Sequence, residues 1–563
     1  MAPSYAPLTP APSYARLMNR GWAIGEAPPV PAAIPIDWGQ AGTLDRSWGF
    51  HLLALDLIDP LLIEHATRGA LEPLILAKDI ALDWWLWTNR TDFDADLNWY
   101  DMAVGLRAWR ISYIAEAIGS HGIVDGEQIA QLAACLQKHE DWLLPDENFT
   151  AASNHGFFQA AGLLALSALS DNVEPDTRTI ATDRLRMVLE THFTEEGIHK
   201  EHSADYHYFL LIGFRALMSR GLLDDPWSRK RLEAVTEALS WFVKPDGKLA
   251  GLGDSDSRSA PEDVGLPPPQ TGLRIFWEGG YAVARRGTGG QGSYLAQTLC
   301  YHSSSHKQVD DLSVIWTAKG RDVLIDAGRF RYGPRLPTSD TQRRKGYRYS
   351  DPRRIYCESA RGHNGLEIAG AKDAREGAPY GSALLAAQEV EGVFAILGQT
   401  PRQPFTHTRL IIGDGDNFLI LLDGVGGGAY PPSIRQRLLF EPEWQVRNAD
   451  DGLRLEGDRP LLIQPLKGGR LRGVWRGQET PVLEGWRSPK ANIFEPAPSA
   501  AFGARTRVMA LALVFEDFGR IGGRIRLDAQ LEGRIALRLG DGRELSIAIS
   551  RDNLSLGVVE AVK

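Results

Sequence analysis

Cysteine is scarce in this chain: three residues of 563, Cys135, Cys300 and Cys357. They are too few and too scattered for a disulfide framework or a zinc cluster, and read as buried thiols. Long apolar runs are also missing. No segment approaches the length of a membrane span, and the opening MAPSYAPLTPAPSYARLMNRGWAIGEAPPVPAAIP has no apolar core long enough for a signal peptide. As written the chain is expected in the cytoplasm; a leader already removed would place it in the periplasm or outside the cell. Positive charge is in deficit, with 62 Lys and Arg against 71 Asp and Glu, a net charge of −9. That balance excludes a generic nucleic-acid binder, whose affinity comes from neutralised phosphates. An anionic partner must therefore be met by a local basic patch.

What is present is ordinary globular material. Hydrophobic residues make up 43% and charged residues 24%, which excludes a disordered chain. The length exceeds what one hydrophobic core sustains, so two or more domains are expected. Residues 1–39 read as a Pro-rich N-terminal extension. Residues 40–262 carry apolar residues at helical spacing in LDRSWGFHLLALDLIDPLLIEHATRGA, ILAKDIALDWWLWTNR, LNWYDMAVGLRAWRISYIAEAIGSHG, GEQIAQLAACLQKHEDWLL, HGFFQAAGLLALSALS and KRLEAVTEALSWFVK. Successive helices with short breaks suggest a toroid or solenoid of helix pairs. Near residue 260, SAPEDVGLPPPQTG ends this texture. Residues 263–563 read as short strands with hairpin turns at GDGDN and GDGRE, hence an antiparallel β-sandwich or stacked sheets.

Aromatics cluster at Trp84, Trp85 and Trp87, with Trp99, Tyr100 and Trp109 following. Indole faces pack on pyranose rings, so these could line a sugar groove; the plainer reading is helix packing. Four segments combine reactive side chains with helix starts or turns. SNHGFFQAAGLL places Asn154 and His155 before an apolar helix, where Asn is also a favoured cap. HKEHSADYHYFLL gathers His202, Tyr206 and His207. GLGDSDSR holds Asp254 and Asp256 in a turn, where local Asx hydrogen bonds are the favoured explanation. The fourth is HSSSHKQVDDLS at 302–313, with His306, Gln308, Asp310 and Asp311, followed by Asp326 in VLIDAGRF and by His363 and Asn364 in RGHNGLEI.

Taken in order, NHG and a later YH in a helical half, then HKxxDDLS, VLIDAG and HNG in a β half, resemble the heparinase II/III family of polysaccharide lyases. The resemblance covers roughly residues 90–560 and is strongest at 301–366. It implies an α+β multidomain chain: an incomplete (α/α) helical toroid followed by an antiparallel β-sandwich, with the active site between them. It implies β-elimination on an acidic glycan, heparan sulfate-like or another uronate polymer, to give 4,5-unsaturated uronate ends. The C5 proton of a uronate is poorly acidic, so that reaction needs a donor on the carboxylate, a base for the proton and an acid for the leaving oxygen.

On this resemblance Asn154, with His155, neutralises the carboxylate. Tyr206 is base, acid or both, and His306 is base or sugar-orienting partner. His202, His207, Trp99 and Arg107 are expected to contact substrate. So are Arg343, Arg344, Arg348 and Tyr349 of TQRRKGYRYSDPRR, since guanidinium forks suit carboxylate and sulfate. The family often carries a structural metal held by a His two residues after the catalytic His, by the VLIDAG aspartate and by the HN histidine. Here Gln308 takes the first place beside Asp326 and His363. Glutamine is a poor zinc ligand, so no metal is required, and a hydrogen-bonded Gln308, Asp326, His363 cluster positioning His306 is expected instead. The expected partner is an acidic polysaccharide or oligosaccharide, with neither nucleic acid nor membrane; a homodimer stays open. Two rivals are a glycoside hydrolase using two of Glu201, Asp205, Asp254 and Asp256, and a non-catalytic binder of acidic glycans.

Overall fold

The computed structural model describes residues 4–24, 27–42, 46–90, 97–123, 126–169, 175–260, 262, 264–450, 452–551 and 553–559. It separates into two compact units. One comprises residues 1–193 and 209–234, the other 194–208 and 235–563. The short stretch 194–208, which carries His202, Tyr206 and His207, therefore packs with the sheets although helices flank it in sequence.

The first unit is helical. Its main elements are Asp59–Arg68, Leu71–Arg90, Asp101–His121, Gly126–Leu143, His155–Ser167 and Pro175–His192. The stretch expected as a single helix over 44–70 breaks at Leu55, whose φ of 67° is left-handed, and restarts at Asp59 with Pro60 in the first turn. Gly126–Leu143 shows why such segments fold: Leu132, Cys135, His139 and Leu143 form one buried stripe at three- and four-residue spacing. Pro175–His192 and Ala204–Ser219 are helices not singled out from the sequence. Asp101–His121 and His155–Ser167 lie backbone against backbone. A Cβ on Gly105 would stand 2.1 Å from Phe158 O, and one on Gly162 would stand 2.4 Å from Gly105 O. All three cysteines are free and buried.

The second unit is built on antiparallel sheets. An eight-stranded sheet runs in the order Gln445–Ala449, Gly452–Glu456, Leu461–Lys467, Val508–Phe515, Phe418–Gly427, Phe405–Gly413, Val393–Arg402, Leu384–Val390. Its central strand Val508–Phe515 is apolar at every position because both faces are covered. On Val508–Phe515, Met509, Leu511 and Leu513 enter one core with Trp316, Ile434 and Phe502. Val508, Ala510, Ala512 and Val514 enter a second core with Ile535, Leu537 and Ile547. The period of two thus feeds two interfaces rather than one core and solvent.

The first core joins this sheet to a five-stranded sheet, Gly272–Phe276 to Arg321–Leu324, and to a four-stranded sheet of Arg470–Arg476, Pro498–Arg505, Ser433–Leu439 and Leu366–Ile368. The second core is closed by the C-terminal sheet Gly522–Leu527, Gly533–Arg538, Glu544–Ser550, Asn553–Val559. The last of these strands alternate buried and exposed along their length, as one-sided sheets do. Both GDGDN and GDGRE are hairpin turns, joining Phe405–Gly413 to Phe418–Gly427 and Gly533–Arg538 to Glu544–Ser550. HSSSHKQVDDLS is a loop between Cys300–Tyr301 and Val314–Ala318 rather than strand.

Candidate active site

The helix Ala204–Ser219 starts at Ser203, whose Oγ accepts the Tyr206 N–H at 3.3 Å and donates to Asp254 O at 3.0 Å. A capping serine thereby ties the first helical turn to the GLGDSDSR segment. That segment can pass so closely only because residue 253 is glycine. Its φ is +57°, and a Cβ there would meet His202 O at 2.5 Å. His306 reaches the same place from its loop with a φ of 55°. A histidine held in the left-handed region costs roughly 1–3 kcal/mol and is kept where surrounding contacts over-determine it.

Those contacts converge on Asp254, which is 0% exposed. Its Oδ2 accepts from His306 Nδ1, Tyr332 Oη and Arg354 Nη2, each at 2.8 Å. Its Oδ1 accepts from Gln308 Nε2 at 2.7 Å. Burial alone would raise this carboxyl, but the Arg354 guanidinium and the His306 bond hold it well below the ordinary carboxylate range. An ionised carboxylate only accepts, so both His306 Nδ1 and the Tyr332 hydroxyl carry protons toward it. Neutral His306 then has its lone pair on Nε2, and Glu201 Oε2 lies 3.8 Å from that atom, beyond hydrogen-bond reach.

Tyr206 stacks on the imidazole of His306, with ring centroids 4.0 Å apart and planes 28° apart. Its hydroxyl meets the Tyr332 hydroxyl at 2.8 Å. Because Tyr332 spends its proton on Asp254, Tyr206 is the donor in that pair. Burial and the Asp254 charge push the Tyr206 phenol above its ordinary value, so it is a protonated acid at neutral pH. Arg329 grips Asp256 with two bonds of 2.9 Å, and Arg354 also binds Glu358 at 2.6 Å and Arg329 O at 2.8 Å.

The sequence candidates separate accordingly. Tyr206 and His306 come together. His202 is buried and neutral: burial, then the nearby Lys307 charge, lowers it far below its usual range, and its Nε2 accepts the His302 N–H at 3.0 Å. His207 is buried too, donating to Val235 O at 2.8 Å with its pKa lowered by burial to about 4. Both are wall residues supporting the site, not surfaces for substrate. Tyr349 packs on Tyr332 at 5.3 Å. Arg343 and Arg348 make no side-chain hydrogen bond or ion pair with a described residue, and Arg344 donates to Ser339 O at 3.4 Å.

The expected Gln308, Asp326, His363 cluster divides in two. His363 Nδ1 pairs with Asp326 Oδ2 at 3.0 Å, and Asp326 Oδ1 accepts the Gly328 N–H at 2.8 Å. Gln308 bonds Asp254 instead, and so reaches His306 through that carboxylate. Both Asp326 oxygens are engaged and an amide stands in the third place, while His363 Nε2 and Gln308 Oε1 are buried without a hydrogen-bond partner. Among the described residues no group of three His, Cys, Asp or Glu is placed to hold a metal. Asp310 and Asp311 hold the loop, both paired with buried Lys307. Asp254 and Asp256 bind side chains from distant segments, so the Asx-turn expectation for them does not hold.

In the helical unit, His155 Nδ1 bonds Asp101, which also accepts from Gln159 Nε2 at 3.1 Å. Asn154 sits at the N-cap of its helix without a side-chain cap bond; its Oδ1 accepts from Ser153 Oγ at 3.3 Å. The helix-closing reading of Asn154 therefore fails. Arg107 is 0% exposed, with Nη1 on Leu53 O at 2.7 Å, Nη2 on Asn98 O at 2.5 Å and Nε on His139 at 3.2 Å. It is a buried brace under Trp84 and Trp99, not a substrate contact. Trp84 and Trp109 are core residues, while Trp99 is partly exposed.

Comparison with known proteins bears on the fold. Residues 268–514 match the family model "Heparinase II/III-like, C-terminal". They form a heparinase II/III-like C-terminal domain. The whole chain is similar in fold to heparinase III, with a TM-score of 0.69 at 14% identity over 96% of this chain and 88% of that one. Heparan sulfate lyase HepC from Pedobacter heparinus gives 0.66 at 14% identity over 97% and 88%. A chondroitinase AC lyase gives 0.51 at 9% identity over 91% and 83%. No curated protein matches the chain in sequence. The heparinase II/III-like domain supplies His306, Tyr332 and Arg354; Tyr206 and Asp254 precede it.

Tyr332 is not singled out from the sequence; Asp254 and Glu201 enter the site there only as carboxylates of the rival hydrolase reading, and Arg354 only as part of the basic segment TQRRKGYRYSDPRR. The readable signals were Gly253 before Asp254 and a tyrosine inside the Arg-rich run RFRYGP.

Proposed function

We propose that this protein is a polysaccharide lyase that cleaves a uronate-containing acidic glycan by β-elimination. The carrying observation is the stacked pair of Tyr206 and His306 joined through Tyr332 and Asp254. His306 is the base. Its Nδ1–H is held by an ionised carboxylate, which fixes the tautomer, leaves Nε2 to take the C5 proton and stabilises the imidazolium that forms, as in carboxylate-supported histidine bases. Tyr206 is the acid, because its raised pKa keeps the proton until the glycosidic oxygen develops charge. Tyr332 lies within 2.8 Å of the Tyr206 hydroxyl and 3.1 Å of His306 Nδ1, so it offers a path for the proton to return.

For the donor that neutralises the uronate carboxylate, the family resemblance alone supports Asn154 with His155. No metal is needed in this scheme, since Gln308 does its positioning by a hydrogen bond to Asp254.

The hydrolase alternative loses support at its carboxylates. Asp254 takes four hydrogen bonds, Asp256 is gripped by Arg329 and Asp205 by Arg258 at 2.5 Å; of the four carboxylates this leaves Glu201, whose Oε2 has no hydrogen-bond partner, without a second to complete an acid and base pair. A panel of uronate polymers and oligomers followed by ultraviolet absorbance tests the reading, because elimination leaves a conjugated unsaturated uronate and hydrolysis does not.

A further inference from the structure

A second cleft, with none of the residues above proposed as acid or base in its wall, opens on the outer face of the four-stranded sheet and has a volume of about 680 Å³. The strand Ser433–Leu439 explains its chemistry. Ile434, Gln436 and Leu438 turn inward and are buried, while Ser433, Arg435 and Arg437 line the cleft. The paired strand Leu366–Ile368 likewise buries Leu366 and Ile368 and turns Glu367 to the cleft. Arg437 is ion-paired within the wall, with Glu367 at 2.9 Å and Glu484 at 2.9 Å.

The remaining cations are not. Arg402 is 7% exposed and its Nε is buried with no hydrogen-bond partner; its charge acts on Asp311 and Asp373, but neither carboxylate forms a hydrogen bond or close ion pair with the guanidinium. Arg435, Arg361, Lys345 and Lys372 also line the cleft without a side-chain partner among the described residues. Five cations without a close side-chain hydrogen bond or ion pair among the described residues face two further carboxylates, Asp373 and Glu376. A nearly buried guanidinium without an acceptor is costly unless an anion completes it.

The volume falls within the range of pockets that hold a molecule of several rings rather than one inorganic ion. The basic segment also runs from this cleft to the candidate site. Lys345 and Tyr347 line the cleft, Tyr349 packs on Tyr332, and Arg354 binds Asp254. We propose that this cleft is an anion-binding saccharide subsite, in which Arg402 and Arg435 take sulfate or carboxylate groups of an acidic glycan held beyond the cleavage site. The choice of a glycan rests on the function proposed above; the anion chemistry rests on the cleft alone.

The test uses the full chain carrying Tyr206→Phe, so that substrate is bound and not consumed, with calorimetric titration of sulfated uronate tetra- and octasaccharides. Arg435→Ala with Lys372→Ala changes partly or fully exposed side chains, and Arg402→Met keeps the buried volume. Expected is a loss of about tenfold in octasaccharide affinity in both variants, with tetrasaccharide affinity and melting temperature unchanged. Desulfated octasaccharide distinguishes the anions: if the loss disappears the ligand group is sulfate, and if it persists it is carboxylate, each consistent with the subsite. Unchanged octasaccharide affinity in both variants overturns the proposal, as does saturable binding of inorganic sulfate that the octasaccharide does not displace. If the parent protein releases no unsaturated product while cleft-dependent binding persists, the lyase reading fails and the subsite stands.

Discussion

Tyr206 and His306 stack face to face at 4.0 Å between ring centroids, and each also touches the Tyr332 hydroxyl. The arrangement separates two roles that the residue types alone leave open. A phenol raised by burial holds its proton, and an imidazole whose Nδ1–H rests on a carboxylate offers Nε2. Tyr206→Phe keeps the stack and removes the acid. It should lower turnover about 10²- to 10⁴-fold with an unchanged melting temperature. Tyr332→Phe removes only the bridging hydroxyl and should cost roughly 3- to 10-fold. Steady-state rates on one uronate oligomer measure both; a Tyr332→Phe loss as large as that of Tyr206→Phe would make Tyr332 the acid.

Asp254 is the residue on which stability and chemistry meet. Its folded pKa lies below the unfolded value near 4, so its ionic contribution is present above that value and is lost as pH falls through the folded one. Asp254→Asn leaves Arg354 short of a buried partner. The variant should be less stable at neutral pH by about 3–5 kcal/mol, and the gap should narrow in acid. Urea unfolding at neutral and acid pH reads both.

Much of the fold is legible in the sequence because periodicity records burial. Three- and four-residue spacing marks helices such as Gly126–Leu143, and the change near residue 260 marks the sheets. The layering is less legible: an apolar strand such as Val508–Phe515 does not reveal that its two faces serve different cores. At the site, the ordered motifs lead to Tyr206, His306 and Asn154. Asp254 is missed because an aspartate in a Gly-rich turn has the composition of a local Asx turn, and only the fold brings Tyr332, Arg354 and Gln308 to it. Arg107 misleads in the opposite direction, since a guanidinium beside tryptophans looks the same in sequence whether it faces a sugar or three backbone and ring acceptors.

Gln308 in the place of a metal-binding histidine predicts a protein that works without zinc. The purified protein should contain substoichiometric zinc by elemental analysis and keep most of its activity after chelation. Full occupancy, with activity lost to chelator and restored by zinc, would contradict the hydrogen-bonded role given to Gln308.

The central claim is the bond-breaking step itself. Incubation of the purified protein with uronate polymers and oligomers, read by ultraviolet absorbance alongside a reducing-end assay, tests it most directly. The account predicts that absorbance and reducing ends rise together, one unsaturated uronate for each bond cleaved. Reducing ends without that absorbance would contradict it and make the protein a hydrolase.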